Sequence, residues 1–464
     1  MNYDLIVIGS GPGGYVAAIR GAQLGLKTAV VECADLGGVC LNWGCIPTKA
    51  LLKSAQVFQY LLHAESYGIK LEGTAKADLD AMVTRSRGVA EAMNKGVAFL
   101  LKKYNVDIIR GFGKVKPNKI VSVHSSETGE TTDYSANHII LATGARSREL
   151  PSLPQDGEKI IDYRQAMTLR KQPETMVVVG SGAIGSEFAH FYQSIGTKVT
   201  LVEFLPQIVP AEDADVSAQL SRSFRKNGMK IMTDSSVESV DTTGDLCRCT
   251  IKTKKGEEII EADIVLSAVG VATNIQNIGL EETGIETFGE KIKVDAYYRT
   301  NQDGYYAIGD IVHGPALAHV ASHEALVCVE KIAGLEPHAL NYDNVPACTY
   351  TTPEVASVGL SEKRAVEKGF EIKVGKFPFT ASGKATAAGN RDGFIKVIFD
   401  AKTDELLGCH MVGDNVTEMI SEAVIIREKN LTANDILSAI HPHPTMSEAL
   451  MEAVAVAYDR VVHL

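Results

Sequence analysis

The chain has 464 residues, more than one hydrophobic core supports, and its length predicts about three domains. Hydrophobic residues make up 45% and charged residues 22% of the composition, as in an ordinary soluble globular protein. The net charge of −11 argues against nucleic-acid binding, which needs clustered Lys and Arg, and no apolar run approaches the ~20 residues of a membrane span. Because the N-terminus leads directly into a strand pattern without a signal peptide, we expect a cytoplasmic protein.

The N-terminal segment has the pattern of a dinucleotide-binding unit. Leu5–Ile8 is a continuous apolar run, typical of a strand buried on both faces, and we expect a helix over Tyr15–Leu24 and a second strand over Thr28–Glu32. A loop with GxGxxG spacing lies between the first strand and the helix, formed by Gly9, Gly11 and Gly14. Such glycines let backbone amides approach a pyrophosphate at a helix N-terminus, while the carboxylate of Glu32 is placed to accept ribose hydroxyls.

Two cysteines, Cys40 and Cys45, follow this unit. The sequence near them has no second Cys or His pair that would complete the tetrahedral ligand set of a metal. The open alternatives are therefore two core thiols or a redox pair. In a regular helix their Cα atoms would be ~8.7 Å apart, beyond the ~7 Å that a disulfide tolerates. If the bond forms, we therefore expect an irregular segment, which nearby glycines permit: Gly37, Gly38 and Gly44.

The residues after Cys45 indicate the start of a helix. Pro47 is typical of a first helical turn, where exposed amides would stabilise a thiolate. Lys49 could place a cation beside that thiolate or beside a redox cofactor, or could be a solvated lysine. The other cysteines have no metal-ligand pattern, and we expect them to be small buried hydrophobic residues: Cys33, Cys247, Cys249, Cys328, Cys348 and Cys409.

The strand–loop–helix–strand pattern returns later in the chain. Met176–Val179 predicts a strand, and Val199–Glu203 predicts the next one. The second loop repeats the spacing of the first with Gly180, Gly182 and Gly185. A carboxylate at Glu203 favours the 2′-hydroxyl of NAD and repels the 2′-phosphate of NADP. The alternative is that both loops are merely tight strand–helix turns.

The remaining chain predicts boundaries and an α+β module. Proline-containing stretches at 150–154 and 344–346 look like domain boundaries, and Tyr306–Asp310 predicts a strand that ends in a carboxylate. From Tyr350 onward a strand over Phe394–Ile398 precedes helices over Glu418–Glu428 and Ser447–Val462, which indicates an α+β domain.

A histidine-containing segment, His441-Pro442-His443-Pro444, precedes the last predicted helix. Two histidines with no acidic residue beside them in the sequence are weak evidence for a metal site. Thr445 and Glu448 form a T-x-x-E capping box, a structural reason for that glutamate. A His held by a carboxylate is also a good acid–base pair near neutral pH. The residues alone leave the structural and catalytic interpretations of His443 and Glu448 open.

Together these motifs resemble the FAD-dependent pyridine nucleotide–disulfide oxidoreductases over essentially the whole chain. The resemblance implies an α/β fold with two Rossmann-like dinucleotide-binding domains and a C-terminal α+β dimerisation domain. The implied domains are an FAD-binding domain over 1–145 and 271–342, an NAD-binding domain over 146–270 and an interface domain over 343–464.

The resemblance also assigns roles to residues. It implies that Cys40 exchanges with a dithiol substrate, that Cys45 contacts the flavin, and that Lys49 lies near the flavin. His443, oriented by Glu448, would be a general base acting in the flavin site of the other subunit. FAD would be held by Gly9, Gly11, Gly14, Glu32, Lys49, Gly113, Thr143, Gly144, Asp310 and Ala318. NAD would be held by Gly180, Gly182, Gly185, Glu187, Glu203, Val237 and Gly270.

The implied activity is oxidation of a dihydrolipoyl group through a Cys40–Cys45 disulfide and FAD, with hydride passed to NAD. Expected partners are a second copy of the chain, the dihydrolipoyl domain of an acyltransferase or a glycine-cleavage carrier protein, and the acyltransferase's subunit-binding domain. Alternatives are an NAD-linked reductase of another small disulfide and a non-catalytic FAD-binding assembly subunit. Two residues depart from the family pattern: Val271 stands where an Arg is frequent, and Trp43 replaces a smaller residue between the cysteines.

Overall fold

The computed structural model describes residues 2–464, which divide into two compact units. Unit 1 comprises the residues up to Leu51, Asp80–Arg148 and Val271–Leu340. Unit 2 comprises Leu52–Leu79, Glu149–Gly270 and Asn341–Leu464. The three-domain division drawn from the sequence stays a prediction. No helix in the described range combines the length and the apolar character needed to cross a membrane.

The helices and strands follow one another in chain order. Up to residue 147 they are β1 (Asn2–Ile8), α1 (Pro12–Gln23), β2 (Thr28–Glu32), α2 (Gly38–Trp43), α3 (Cys45–Leu62), α4 (Leu79–Lys103), β3 (Asp107–Arg110), β4 (Phe112–Lys116), β5 (Ile120–His124), β6 (Thr131–Leu141) and β7 (Ala145–Ser147). Up to residue 267 they are β8 (Ile160–Ile161), α5 (Tyr163–Thr168), β9 (Thr175–Val179), α6 (Ala183–Ser194), β10 (Lys198–Val202), α7 (Ala214–Lys226), β11 (Lys230–Met232), β12 (Ser236–Asp241), β13 (Cys247–Thr253), β14 (Gly256–Ala262) and β15 (Ile264–Ser267).

The later elements complete both units. Up to residue 332 they are β16 (Val271–Thr273), α8 (Leu280–Thr283), β17 (Thr287–Phe288), β18 (Lys291–Ile292), β19 (Tyr305–Ala307) and α9 (Ala318–Ile332). The rest are β20 (Ala347–Thr349), β21 (Glu354–Gly359), α10 (Glu362–Glu367), β22 (Ile372–Pro378), α11 (Gly383–Ala388), β23 (Phe394–Asp400), β24 (Leu406–Gly413), α12 (Val416–Glu428), α13 (Ala433–Ser438) and α14 (Glu448–Ala457). Short 3₁₀ turns cover Ala64–Tyr67, Gly309–Ile311, Tyr342–Asn344 and Phe379–Ala381.

Unit 1 is built on a seven-stranded sheet of order β3-β2-β1-β6-β5-β4, with β19 also paired to β6. β1, β2, β3, β6 and β19 are parallel, whereas β4 and β5 add an antiparallel edge. β1 is apolar over Leu5–Ile8 and buried there on both faces, because helices cover a parallel sheet on each side. The order β3-β2-β1-β6 is that of a dinucleotide-binding sheet, as predicted.

Unit 2 repeats this arrangement and adds a different sheet. Its five-stranded parallel sheet has the order β11-β10-β9-β15-β8, so β11-β10-β9-β15 matches β3-β2-β1-β6 of unit 1. β12, β13 and β14 form a separate antiparallel sheet. The C-terminal residues form an antiparallel sheet of order β20-β21-β24-β23-β22, packed with α12 and α14. Two Rossmann-like folds and a C-terminal α+β fold are therefore confirmed.

The C-terminal sheet contains a buried lysine. β23 is buried along its whole length, and Lys396 in its middle is 3% exposed. Its ammonium donates to Asp213 Oδ1 at 3.0 Å and Asp215 Oδ2 at 3.2 Å, and it pairs with Glu362 Oε2 at 2.6 Å. A buried charge is tolerated only when it is paired. These contacts therefore tie the start of α7 to β23.

Glu212 lies beside this ion-pair cluster without a matching cation. Its Oε2 is buried and has no hydrogen-bond partner among residues 2–464. Burial, reinforced by Asp213 and partly offset by a hydrogen bond with Ser357, raises the pKa of Glu212 from 4.5 to about 7. A carboxyl with a raised pKa in the folded protein stabilises the fold while it is protonated. Its contribution is complete below the unfolded pKa and is lost as the pH rises through 7.

The substitution Glu212→Gln should remove this loss, because the amide cannot ionise. We expect the variant and the wild type to differ little near pH ~5, and the variant to be more stable near pH ~8 by on the order of 2 kcal/mol. Thermal unfolding across this pH range measures the difference. Glu257→Gln, at an exposed position of β14, is the matched control. Parallel pH profiles for the wild type and Glu212→Gln would refute the prediction.

Candidate functional site

The first glycine loop joins β1 to α1. Gly9 has a φ of +100°, and a Cβ there would lie 2.3 Å from the carbonyl oxygen of Ala142. A Cβ on Gly14 would lie 1.9 Å from the carbonyl oxygen of Gly9. Both positions need glycine so that loop, strand and helix can pack closely. Gly11 is different, because φ is −62° and the nearest atom to its Cβ would be Gly38 Cα at 4.0 Å.

Glu32 holds this loop from the end of β2. It is 8% exposed, and its Oε2 accepts hydrogen bonds from the Ser10 amide at 2.9 Å and the Ser10 hydroxyl at 2.6 Å. Its Oε1 accepts from the Ala34 amide at 2.8 Å. A carboxylate has about four acceptor positions, so Glu32 keeps capacity for a further donor such as a ribose hydroxyl.

The N-terminus of α1 is suited to an anion. Gly11 is its N-cap, and within the described chain no side chain caps it. The first amides of the helix are therefore available to a phosphate, and the helix dipole favours the same charge. Together with the spare acceptor capacity of Glu32, this cradle fits the pyrophosphate and ribose of FAD.

The second loop reproduces the first in detail. Gly180 has a φ of +94°, and a Cβ on Gly185 would lie 1.9 Å from the Gly180 carbonyl oxygen. Gly182 is the N-cap of α6, again without a side-chain cap, and a Cβ there would have no described atom within 4 Å. Glu203 is 6% exposed and accepts from the Ser181 amide at 2.8 Å and the Ser181 hydroxyl at 2.7 Å. The loop thus fits a second dinucleotide.

The other residues predicted for FAD lie in unit 1. Gly113 is in β4, where a Cβ would meet Ile8 Cγ2 at 3.0 Å, so its packing requires a small residue. Thr143 and Gly144 follow β6 and are held by Asn274. The Thr143 hydroxyl donates to the Asn274 carbonyl at 2.7 Å, and the Asn274 amide donates to the Gly144 carbonyl at 2.9 Å.

Asp310 and Ala318 both follow β19, Asp310 in a turn and Ala318 at the start of a helix. The strand predicted over Tyr306–Asp310 is too long, because β19 ends at Ala307 and Asp310 lies in a 3₁₀ turn over Gly309–Ile311. Burial raises the pKa of Asp310, and Lys291 opposes that effect. Ala318 is the first residue of α9. Both residues remain predicted ligands of FAD.

The other residues predicted for NAD lie in unit 2. Glu187 is in α6 and 4% exposed, and its Oε1 accepts from the Tyr350 amide at 3.0 Å. Val237 is in β12, and Gly270 follows β15 with a φ of +109°. Glu187 therefore has a structural contact of its own, and its predicted role toward NAD stays a prediction.

The two predicted redox cysteines lie at a break between two helices. Cys40 is in α2, Cys45 is the first residue of α3, and Gly44 between them has φ −146° and ψ −115°. The expected irregular segment is confirmed. Both cysteines are half-buried. A hydrogen bond with Cys45, together with burial, raises the pKa of Cys40, while the charge of Lys49 acts in the opposite direction.

The cysteine segment packs on the first glycine loop. The Gly37 amide donates to the Ser10 carbonyl at 3.0 Å and lies 3.3 Å from the Ser10 hydroxyl. A Cβ on Gly38, which has a φ of +60°, would lie 2.6 Å from Gly11 Cα. The structure therefore brings together the dithiol segment and the first dinucleotide-binding loop.

His443 and Glu448 form a pair at the start of α14. His443 Nδ1 lies 2.9 Å from Glu448 Oε1, and the Thr445 amide donates to Glu448 Oε2 at 2.8 Å. Burial would raise the pKa of Glu448, but the hydrogen bonds from Thr445 and His443 outweigh it and lower that pKa. The carboxylate can only accept, so Nδ1 carries the proton and Nε2 is left as the base. The neighbouring His441 is paired separately, with Glu422 at 2.8 Å.

Sequence reasoning missed some residues and misplaced others. Ser10 and Ser181 anchor the two carboxylates, and their common position after the first glycine of each loop was a signal that could have found them.

Cys33 is exposed and Cys348 half-buried, whereas both were expected to be buried. Cys33 directly follows Glu32 at the end of β2, where the chain leaves the sheet, so it has no core to enter. Cys247, Cys249, Cys328 and Cys409 are buried as expected.

Comparison with known proteins agrees with this arrangement. A family model described as pyridine nucleotide-disulphide oxidoreductase matches residues 3–325, and the dimerisation domain of the same family matches residues 345–454. A Rhizobium etli protein named dihydrolipoyl dehydrogenase is 49% identical, covering 100% of this chain and 99% of its own length. One from Zymomonas mobilis with the same name is 47% identical, with coverages of 100% and 99%.

A solved structure shares the fold over nearly the whole chain. LpdA from Mycobacterium tuberculosis superposes with a TM-score of 0.90 at 28% identity, covering 97% of this chain and 98% of LpdA. The similarity in sequence and structure therefore extends through both dinucleotide loops and the C-terminal sheet. The chain belongs to the pyridine nucleotide-disulphide oxidoreductase family.

Proposed function

We propose that the protein oxidises a protein-bound dihydrolipoyl group to a lipoyl disulfide at Cys40 and Cys45 and passes the electrons through FAD to NAD. This is the activity after which its R. etli and Z. mobilis relatives are named. The observation that carries the proposal is the packing of the cysteine segment on the first glycine loop. It brings a dithiol pair to the cradle that fits a flavin dinucleotide.

The reaction at the cysteines is thiol–disulfide exchange. A substrate thiolate attacks Sγ of Cys40 in the Cys40–Cys45 disulfide, forms a mixed disulfide and releases Cys45 as a thiolate. The second substrate thiolate then attacks the substrate sulfur of the mixed disulfide. The lipoyl disulfide closes and Cys40 is released. The substrate loses two electrons and two protons, and the cysteine pair gains the two electrons.

The surroundings of the two cysteines match these roles. The raised pKa of Cys40 means that this sulfur takes up a proton when it is released. Cys45 begins α3, where the positive end of the helix dipole stabilises a thiolate. The charge of Lys49 acts on Cys40 and opposes the rise in its pKa.

His443 would take a proton from the substrate thiol at Nε2. Its side chain is 78% exposed, so the imidazole can reach a substrate or a second copy of the chain. Glu448 fixes the tautomer through Nδ1 and stabilises the imidazolium that forms. In this proposal His443 serves the cysteine pair of the partner protomer, and the family's dimerisation domain supports such a homodimer.

FAD would be held by residues of the first loop and its surroundings: Gly9, Gly11, Gly14, Glu32, Gly113, Thr143, Gly144, Asp310, Ala318 and Lys49. Held there, FAD would supply the two-electron transfer chemistry that links the reduced cysteines to NAD. NAD would be held by residues of the second loop and its surroundings: Gly180, Gly182, Gly185, Glu203, Glu187, Val237 and Gly270. A carboxylate at Glu203 disfavours the 2′-phosphate of NADP.

The finer assignments are part of the same proposal. The expected partners are the dihydrolipoyl domain of an acyltransferase or a glycine-cleavage carrier protein and the acyltransferase's subunit-binding domain. Residues 343–464 contain 17 Asp and Glu against 12 Lys and Arg, and this excess of negative charge supports a basic subunit-binding domain as the docking partner. A cytoplasmic location stays a prediction from the sequence. The competing function is reduction of another low-molecular-weight disulfide by NADH.

The direct test is anaerobic reduction of NAD by dihydrolipoamide with the purified flavoprotein. We expect NADH to form with the wild type and with Cys33→Ser, and none with Cys40→Ser or Cys45→Ser, because each of the latter removes one sulfur of the exchange. Absorbance at the NADH band gives the rate. A flavin that responds to NADH but ignores dihydrolipoamide would favour the competing disulfide reductase.

Gly11→Ala and Gly182→Ala test which loop holds which dinucleotide. Both added methyl groups fit the protein itself but would project toward a bound pyrophosphate. We expect Gly11→Ala to lose FAD, and Gly182→Ala to keep FAD while its Kd for NADH rises about tenfold or more. Flavin absorbance per chain and NADH titration measure these effects. Loss of FAD from Gly182→Ala with retention by Gly11→Ala would reverse the assignment.

Glu448→Gln should lower kcat by about a hundredfold, because a neutral amide neither fixes His443 as strongly nor stabilises its imidazolium. Glu422→Gln is the matched control, since Glu422 makes the same kind of contact with His441. We expect the control to retain most activity. Steady-state kinetics with dihydrolipoamide, together with thermal unfolding, separates catalysis from helix capping. Equal rates for the two variants would contradict a catalytic role for the His443–Glu448 pair.

A further inference from the structure

Helix α4 supports the cysteine segment from one side. Four of its side chains donate hydrogen bonds to backbone carbonyls of residues 36–50, on both sides of the break at Gly44. The contacts are Arg85 to Ala50 at 2.7 Å, Ser86 to Pro47 at 2.8 Å, Arg87 to Asn42 at 2.6 Å and Asn94 to Leu36 at 2.9 Å. Carbonyls at a helix end have no partner within the helix, so side chains from a neighbouring helix can fix such an end.

Arg87 makes the contact nearest the break. Its Nη1 donates to the carbonyl of Asn42, two residues after Cys40, and its guanidinium carbon lies 4.3 Å from the centre of the Trp43 ring. The side chain of Asn42 turns back to the other end of α2, donating to the Leu36 carbonyl at 2.8 Å and the Gly38 carbonyl at 3.0 Å. α2 is therefore held at both ends.

We propose that Arg87, stacked on Trp43, is a positioning residue that holds the bend between Cys40 and Cys45 so that their sulfurs remain within bonding reach. The inference rests on the proposed function of that pair as a redox disulfide. It concerns this chain in particular, because Trp43 supplies the ring on which the guanidinium lies.

The expected consequence is a shift in the dithiol–disulfide equilibrium. Gly44 gives the bend little intrinsic stiffness, so the two helix ends must be held by outside contacts. A pair that is already positioned loses less conformational freedom when the bond forms, which favours the disulfide. The planar guanidinium both stacks and donates, and an ammonium cannot reproduce that combination.

The measurement is the equilibrium of the holoprotein with mixtures of reduced and oxidised dithiothreitol. In this exchange the enzyme dithiol and oxidised dithiothreitol form the enzyme disulfide and reduced dithiothreitol, so two electrons and two protons are transferred. After acid quenching and alkylation, trypsin releases residues 28–49, which contain Cys33, Cys40 and Cys45. Mass spectrometry then distinguishes the peptide alkylated only at Cys33 from the fully alkylated one.

We expect the disulfide of Arg87→Gln to be reduced more easily than that of the wild type. The ratio of reduced to oxidised dithiothreitol that half-reduces it should be about tenfold lower, and Arg87→Lys should show a similar shift. Lys103→Gln is the control, because Lys103, the last residue of α4, lies 5.2 Å from the centre of the Tyr104 ring and away from the cysteines. Thermal midpoint and flavin content check that the fold is intact. If Arg87→Gln fails to fold, the same equilibrium is measured with Arg87→Lys.

A double-mutant cycle tests whether Arg87 acts through the ring. Arg87→Gln and Trp43→Val combined should shift the equilibrium no further than either change alone, because each removes the same stack. Additive shifts, or variants with the wild-type equilibrium, would overturn the inference. A wild type that forms no Cys40–Cys45 disulfide at any ratio would instead overturn the proposed function.

Discussion

A buried carboxylate that accepts two hydrogen bonds from one serine determines the shape of each dinucleotide-binding loop. Glu32 binds the amide and hydroxyl of Ser10, and Glu203 binds those of Ser181. These bonds tie the loop after one strand to the end of the next, so the helix N-terminus is presented without a side-chain cap. The local geometry is the same in both units because the same few residues recur at the same spacing.

The cysteine segment depends on the first of these loops. A Cβ on Gly38 would lie 2.6 Å from Gly11 Cα, so this close contact requires glycine at residue 38, where α2 begins. From there the chain breaks at Gly44, and α4 holds the carbonyls on both sides of the break. A rigid sheet and a long helix thus support a short, glycine-rich segment that has little stability of its own.

The C-terminal sheet combines structural and chemical roles in single side chains. Glu448 accepts one hydrogen bond from the Thr445 amide just before α14 and pairs with His443 through its other oxygen, so the structural and acid–base interpretations are compatible. Lys396 brings a buried charge into β23 because Asp213 and Glu362 meet it there. Removing one partner of such a cluster leaves an uncompensated charge, which makes the cluster a strong constraint on packing.

The sequence by itself determined the two parallel sheets and both glycine loops, because these depend on local spacing and hydrophobic pattern. The tertiary structure decided which residues meet across the chain. Arg87 with Trp43 and Lys396 with Asp213 are separated by stretches whose folding no local pattern encodes. It also decided that Cys33 is exposed and that Asp310 lies in a turn. Burial and turn geometry at these positions follow from what packs against them, which is a property of the whole fold.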